Sequence, residues 1–209
     1  MIHQLAQRIT EQLQKELNLE NSRTPIIVHG LEVIIGAMVR LLSFVAISSI
    51  LGILPQTLAA LLGSGLFRLP AGGAHCTAYY RCLIGSLLTF CVIGVLTKII
   101  ANYNFPIGAI FGLSIGLAAF VTAFWVPAGT KVKPMTDPSD RKRAKIWAYG
   151  VLFIYFSLWY FYKIPQDIIL AGSLGLLLQV FTLTPVGFKA MDKLDIFLLK
   201  MSNRWLERG

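Results

Sequence analysis

Between residues 31 and 184 the chain offers little to water: six apolar stretches follow one another with only short polar turns between them. Residues 31–54, 82–100, 106–126, 146–162 and 168–184 approach or exceed the roughly 20 residues with which a helix crosses about 30 Å of hydrocarbon. Residues 56–67 are fewer and end at Arg68, so they read as a short, tilted or re-entrant segment. Composition agrees, with 56% apolar residues, 14% charged residues and a mean hydropathy of +0.67. A soluble domain carries about 25% charged residues because it needs a solvated skin. Lipid is therefore the solvent, which excludes a soluble enzyme, a nucleic-acid-binding domain and a disordered regulator. The expected fold is an all-α polytopic membrane protein with about six transmembrane helices, forming a single integral membrane domain over residues 1–209.

The two ends differ from this middle. In residues 1–24, Leu5, Ile9, Leu13 and Leu17 recur every four residues, with Arg8, Glu11, Lys15, Glu16 and Glu20 between them. That is an amphipathic helix lying on the membrane, without the apolar core of a secretory signal. In residues 186–209, Phe188, Met191, Leu194, Leu198, Met201 and Trp205 make a similar stripe. It reads as a second interfacial helix or as the face of a homodimer.

Charge sets the orientation. With six spans across 31–184, the N-terminus, the loop 68–82, the loop 131–145 and the C-terminal tail share one side. They hold all of the 19 basic residues except Arg40, Lys98 and Lys163. The positive-inside rule makes that side cytoplasmic, both termini included. The net charge of +9 then reports topology, and no nucleic-acid partner is expected.

Reactive residue types are densest in the loop from Arg68 to Cys82. Pro70, Gly72 and Gly73 break regular structure ahead of His75, and Cys82 follows at the head of an apolar helix. Histidine and cysteine are the minimal outfit of a thiol protease, in which the imidazole takes the thiol proton and the thiolate attacks a peptide carbonyl. On one straight helix the two residues would lie about 10.5 Å apart along the axis, beyond the hydrogen-bond reach of about 3 Å. The pair works only if His75 precedes the helix on a chain folded back by Gly72 and Gly73. Arg68 and Arg81 bracket it with positive charge, and glycine N–H groups suit an oxyanion. Cys76, next to His75, is an alternative nucleophile, and Cys91 reads as packing. The histidines at positions 3, 29 and 75 lack ligand spacing, so no metal or cofactor is expected. On the residues alone, a small transporter or exporter using Glu32 and Arg40 stays open, as does a non-catalytic membrane scaffold.

Arg68, the run Gly72-Gly73-Ala74-His75 and the following Cys82 resemble the accessory gene regulator B (AgrB) family of bacterial membrane cysteine endopeptidases. Lys133-Pro134-Met135 after Pro127, and the segment from Leu176 through Gln179 to Pro185, are similar to further parts of that family. The stretch Ala128-Gly129-Thr130-Lys131 departs from it in lacking acidic and histidine residues. The resemblance implies peptide quorum sensing in the bacterial cell membrane. The substrate would be a short pro-peptide with an amphipathic leader and an acidic tail. Cys82 would be nucleophile and His75 general base. Arg68, Gly72 and Gly73 would serve substrate binding or oxyanion support, and the product would be a thiolactone or lactone ring.

Overall fold

The computed structural model describes residues 2–17, 24–74, 78–103, 105–128 and 137–206. Among the described residues there are eight helices: α1 (Ile2–Leu17), α2 (Thr24–Ile50), α3 (Leu54–Ala71), α4 (Tyr79–Ile100), α5 (Ile107–Trp125), α6 (Pro138–Phe161), α7 (Gln166–Leu183) and α8 (Pro185–Leu206). Five of them, α2, α4, α5, α6 and α7, are long and apolar enough to cross a membrane. The all-α polytopic expectation holds. The chain divides into two compact units, Met1–Ile47 and Ser48–Gly209.

In the first unit, α1 buries Ala6 and Thr10 and leaves Leu5 half-exposed. The Thr10 hydroxyl donates to Ala6 O at 2.8 Å, so a polar side chain is hidden at no loss of hydrogen bonding. Two polar contacts join α1 to α2: His3 meets the Glu32 carboxylate, and Gln14 donates to Thr24. Glu32, a candidate for a transport path on sequence grounds, is thus engaged with the amphipathic helix.

The second unit is built around α3 and α7, which run in the same direction. At one end Gln56 donates to Asp167 at 2.6 Å, and at the other Arg68 donates to Gln179 at 3.0 Å, both pairs 111 residues apart. Between these ends the backbones nearly touch. A Cβ on Gly175 would sit 2.1 Å from Ala60 O, and one on Gly63 would sit 2.3 Å from Gly172 O. Apolar side chains gain little by leaving lipid for protein, so helices in a membrane associate through close packing and hydrogen bonds, with small residues at the contact. This explains why α3 is polar on its buried face, at Gln56, Thr57 and Ser64. That face packs against α4, α6 and α7, while Leu62, Leu66 and Leu69 stay exposed on the other side. At 18 residues it extends about 27 Å, from the Gln56 end of the unit to the Ala71 end.

The aromatic-rich α6 largely faces outward: Trp147, Phe153, Tyr160 and Phe161 are exposed, while Ala148 and Leu152 enter the core. Two of its rings turn inward. The Tyr155 hydroxyl donates to Leu62 O at 2.6 Å, and Trp159 stacks on Phe111 with centroids 5.1 Å apart. The helix starts at Pro138, well before the apolar stretch, because Asp137 caps it by accepting from Ser139 N at 2.9 Å. The basic run Arg141-Lys142-Arg143 therefore lies on its first turns.

Gly175→Val should lower stability by about 3 kcal/mol, since the clash is with backbone that cannot turn away. Gly116→Ala, where a Cβ meets open space, should stay within about 0.5 kcal/mol of the parent. Thermal unfolding in detergent measures both, and equal midpoints would contradict the close-approach account.

Candidate functional site

The C-terminal ends of α3, α5 and α7 and the start of α4 converge at one end of the second unit. After α3 the chain turns at Gly72 (φ 77°) and Gly73 (φ 133°). Both values lie where L side chains are strained, so glycine is the residue type that makes the turn without cost. Space demands glycine too. A Cβ on Gly72 would lie 2.7 Å from Ala128 O, and one on Gly73 would lie 3.0 Å from both Gln179 Nε2 and Thr182 Oγ1.

The turn is hydrogen-bonded on every side. Gly72 N donates to Arg68 O at 2.9 Å, and Ala128 N donates to Ala71 O at 2.9 Å, tying the turn to the chain that leaves α5. Gln179, fully buried on α7, donates from Nε2 to Gly72 O at 2.7 Å and accepts from Arg68 Nη1. Arg68 Nη2 donates to Ala74 O at 2.5 Å, while Ala74 N donates to Thr182 O at 3.2 Å. Ala74 is thereby held by both of its backbone groups. Arg68 works here as an internal strut of the turn.

Cys82 lies in the first turn of α4, where its N–H donates to Ala78 O at 3.1 Å, and its side chain is half-buried. Ala78 itself is extended (φ −115°, ψ 139°), so the helix does not reach back past Tyr79. His75 and Cys76 lie outside the described residues, as does Lys133-Pro134-Met135. What the structure brings together is Arg68, Gly72 and the pinned Ala74, in one hydrogen-bond network with Gln179 and Thr182; Cys82 lies on the first turn of α4. Cys91 is buried, as its packing role requires. Among the described residues no three His, Cys, Asp or Glu side chains cluster as a metal site.

Three partners, Gln179, Thr182 and Asp195, were not singled out by the sequence reading. Gln179 had a visible signal, an amide within the apolar run 176–183, because a polar residue at membrane depth is costly unless it is used. Thr182 had none, since its backbone carbonyl does the holding. Arg81 was expected to lend positive charge beside Cys82. It is instead buried, with Nη1 at 3.1 Å from Asp195 Oδ1 and 3.1 Å from Asp195 O on α8.

Among known proteins, residues 6–183 match the family described as Accessory gene regulator B. A putative AgrB-like protein of Clostridium perfringens strain SM101 is 29% identical, over 96% of this chain and 100% of its own length. A second one from C. perfringens, strain 13, is 28% identical over the same shares. The accessory gene regulator protein B of Staphylococcus aureus strain JH9 is 28% identical over 86% of this chain and 92% of its own. No solved structure matches the chain.

Replacing Gln179 by Leu keeps the approximate size but leaves Gly72 O without its donor and removes the acceptor of Arg68 Nη1. A buried polar group left unmatched costs about 1–3 kcal/mol. The unfolding midpoint of Gln179→Leu in detergent should fall accordingly, and an unchanged midpoint would show that these bonds do not hold the turn.

Proposed function

From the premise that the chain belongs to the accessory gene regulator B family, we propose that it is a cysteine endopeptidase of peptide quorum sensing, embedded in the bacterial cell membrane with both termini in the cytoplasm. Its substrate is a short pro-peptide with an amphipathic leader, which suits a bilayer, and an acidic tail, which suits the basic cytoplasmic loops.

The chemistry is that of an activated thiol. His75 takes the proton of Cys82, and Sγ attacks the scissile carbonyl. The peptide C–N bond breaks, the imidazolium returns its proton to the departing amine, and the acidic tail leaves. The rest of the peptide is then held as a thioester on Cys82. A cysteine or serine within that peptide gives its proton to His75 and attacks the thioester. The ring closes as a thiolactone or lactone, and Cys82 leaves as thiolate and is reprotonated. Exchange of one thioester for another is close to neutral in energy, so cyclisation needs no nucleotide. Arg68, Gly72 and Gly73 hold the segment that leads into His75 and border the place where the carbonyl oxygen or the tail would sit.

The observation that carries this reading is the placement of Cys82 in the first turn of α4, joined by residues 75–77 to a glycine turn whose last residue, Ala74, is fixed at N–H and C=O. The start of α4 at Tyr79 supports the part of the reading in which His75 precedes the helix.

Co-expression with such a pro-peptide tests the proposal, with tail release followed by mass spectrometry. Cys82→Ala and His75→Ala should each lower processing by at least about a thousandfold, while Cys91→Ala and Cys76→Ala should process normally. Tail release that survives Cys82→Ala but is lost in Cys76→Ala would move the nucleophile and overturn the assignment.

A further inference from the structure

We propose that Asp195 on α8, acting through Arg81, is a positioning residue that fixes the place of Cys82. The inference rests on the endopeptidase reading and adds to it the part of the fold that holds the nucleophile.

Arg81 and Cys82 are neighbours in the first turn of α4, so the guanidinium and the thiol move with the same backbone. Arg81 and Asp195 are each 8% exposed and lie 114 residues apart. Arg81 Nη1 reaches both the carboxylate and the main-chain carbonyl of Asp195 at 3.1 Å. The second contact matters, because it registers Arg81 against the α8 backbone as well as against the carboxylate. A buried ion pair is weak support for stability, since the desolvation of both charges offsets their attraction. What it does supply is a single allowed arrangement, and here that arrangement includes the turn bearing Cys82.

The corner between α7 and α8 makes α8 a firm reference. Thr184 Oγ1 accepts from Gly187 N at 3.1 Å and Thr184 O accepts from Phe188 N at 3.0 Å. A Cβ on Gly187 would stand 2.0 Å from Phe181 O, so the two helices meet with no slack. Further along, Leu194 and Leu198 lie over Gly85 of α4, with side-chain carbons 3.4 Å and 4.0 Å from the place of its missing Cβ. One continuous piece of chain, α7 with α8, therefore holds both Ala74 and Arg81. Thr182 holds Ala74 directly and Gln179 braces the turn before it, while Asp195 holds Arg81 beside Cys82. A misplacement of about 1 Å between reacting groups can cost up to about a hundredfold in rate, which is the sensitivity such a grip addresses.

The test uses full-length protein purified in detergent in a Cys76→Ala/Cys91→Ala background, so that Cys82 is the only thiol. Two rates are measured on the folded fraction from size exclusion: labelling of Cys82 by N-ethylmaleimide, and turnover of an acidic-tailed pro-peptide per labelled thiol. Asp195→Ala should change the labelling rate about tenfold and lower kcat about tenfold, with KM within about twofold. Asp195→Asn, which keeps an acceptor oxygen in place, should recover more than half of the lost kcat, a rescue that a general loss of folding would not show. Labelling and kcat within about twofold of the parent in folded Asp195→Ala overturn the proposal, as does an equal loss of kcat in Asp195→Asn. If Asp195→Ala yields no folded protein, Arg81→Lys carries the same two readouts with the same criteria. Failure of the endopeptidase reading is seen separately: the parent would show no turnover, while the labelling rate would still report whether Asp195 places Cys82.

Discussion

The close approach of α3 and α7 is the contact on which the rest of the second unit depends. In lipid a leucine gains little by turning inward, so a bundle cannot be ordered by hydrophobicity alone. It is ordered where backbones come near enough for many atoms to touch, at Ala60, Gly63, Gly172 and Gly175. Polar side chains then hold the ends in register, Gln56 to Asp167 at one and Arg68 to Gln179 at the other. Because the two helices are parallel, this register brings their C-terminal ends to the same place. There the chain leaving α3 meets the last turn of α7 and finds hydrogen-bond partners for its turn.

The candidate site is a consequence of that register. Gly72 and Gly73 could bend the chain in many directions. Gln179, Thr182, Arg68 and Ala128 leave one bend, with Ala74 delivered to the start of the segment that leads to Cys82. Each of these hydrogen bonds lies in a region with little competing water, where an unmatched group is expensive. The turn is accordingly held more firmly than its glycines alone would suggest. Arg68 takes part in this network by donating to Gln179 and Ala74.

Much of this architecture can be read in the sequence because lipid imposes a length and a polarity on each helix. The stripe in residues 186–209 announces α8, and the glycine pair before His75 announces a turn. The limits of that reading have physical causes. α3 is hard to recognise as a full-length helix because its packed face is polar, with Gln56 and Thr57 turned toward α7 and α4. α6 begins upstream of its apolar stretch because Asp137 caps a basic first turn. The pairing of Arg81 with Asp195 joins residues 114 apart, and periodicity carries no information about which turn of α8 will lie against which turn of α4. His75, the proposed general base, lies outside the described residues.

The central claim is that Cys82 becomes acylated by the peptide it cuts. The direct measurement is acid quenching of purified protein with its pro-peptide within the first turnover, followed by mass spectrometry of the Cys82 segment. The account predicts a tail-less peptide attached to Cys82 through a hydroxylamine-labile bond, absent when His75 is replaced by Ala. Release of the tail with no covalent species on Cys82 at any time point would contradict it.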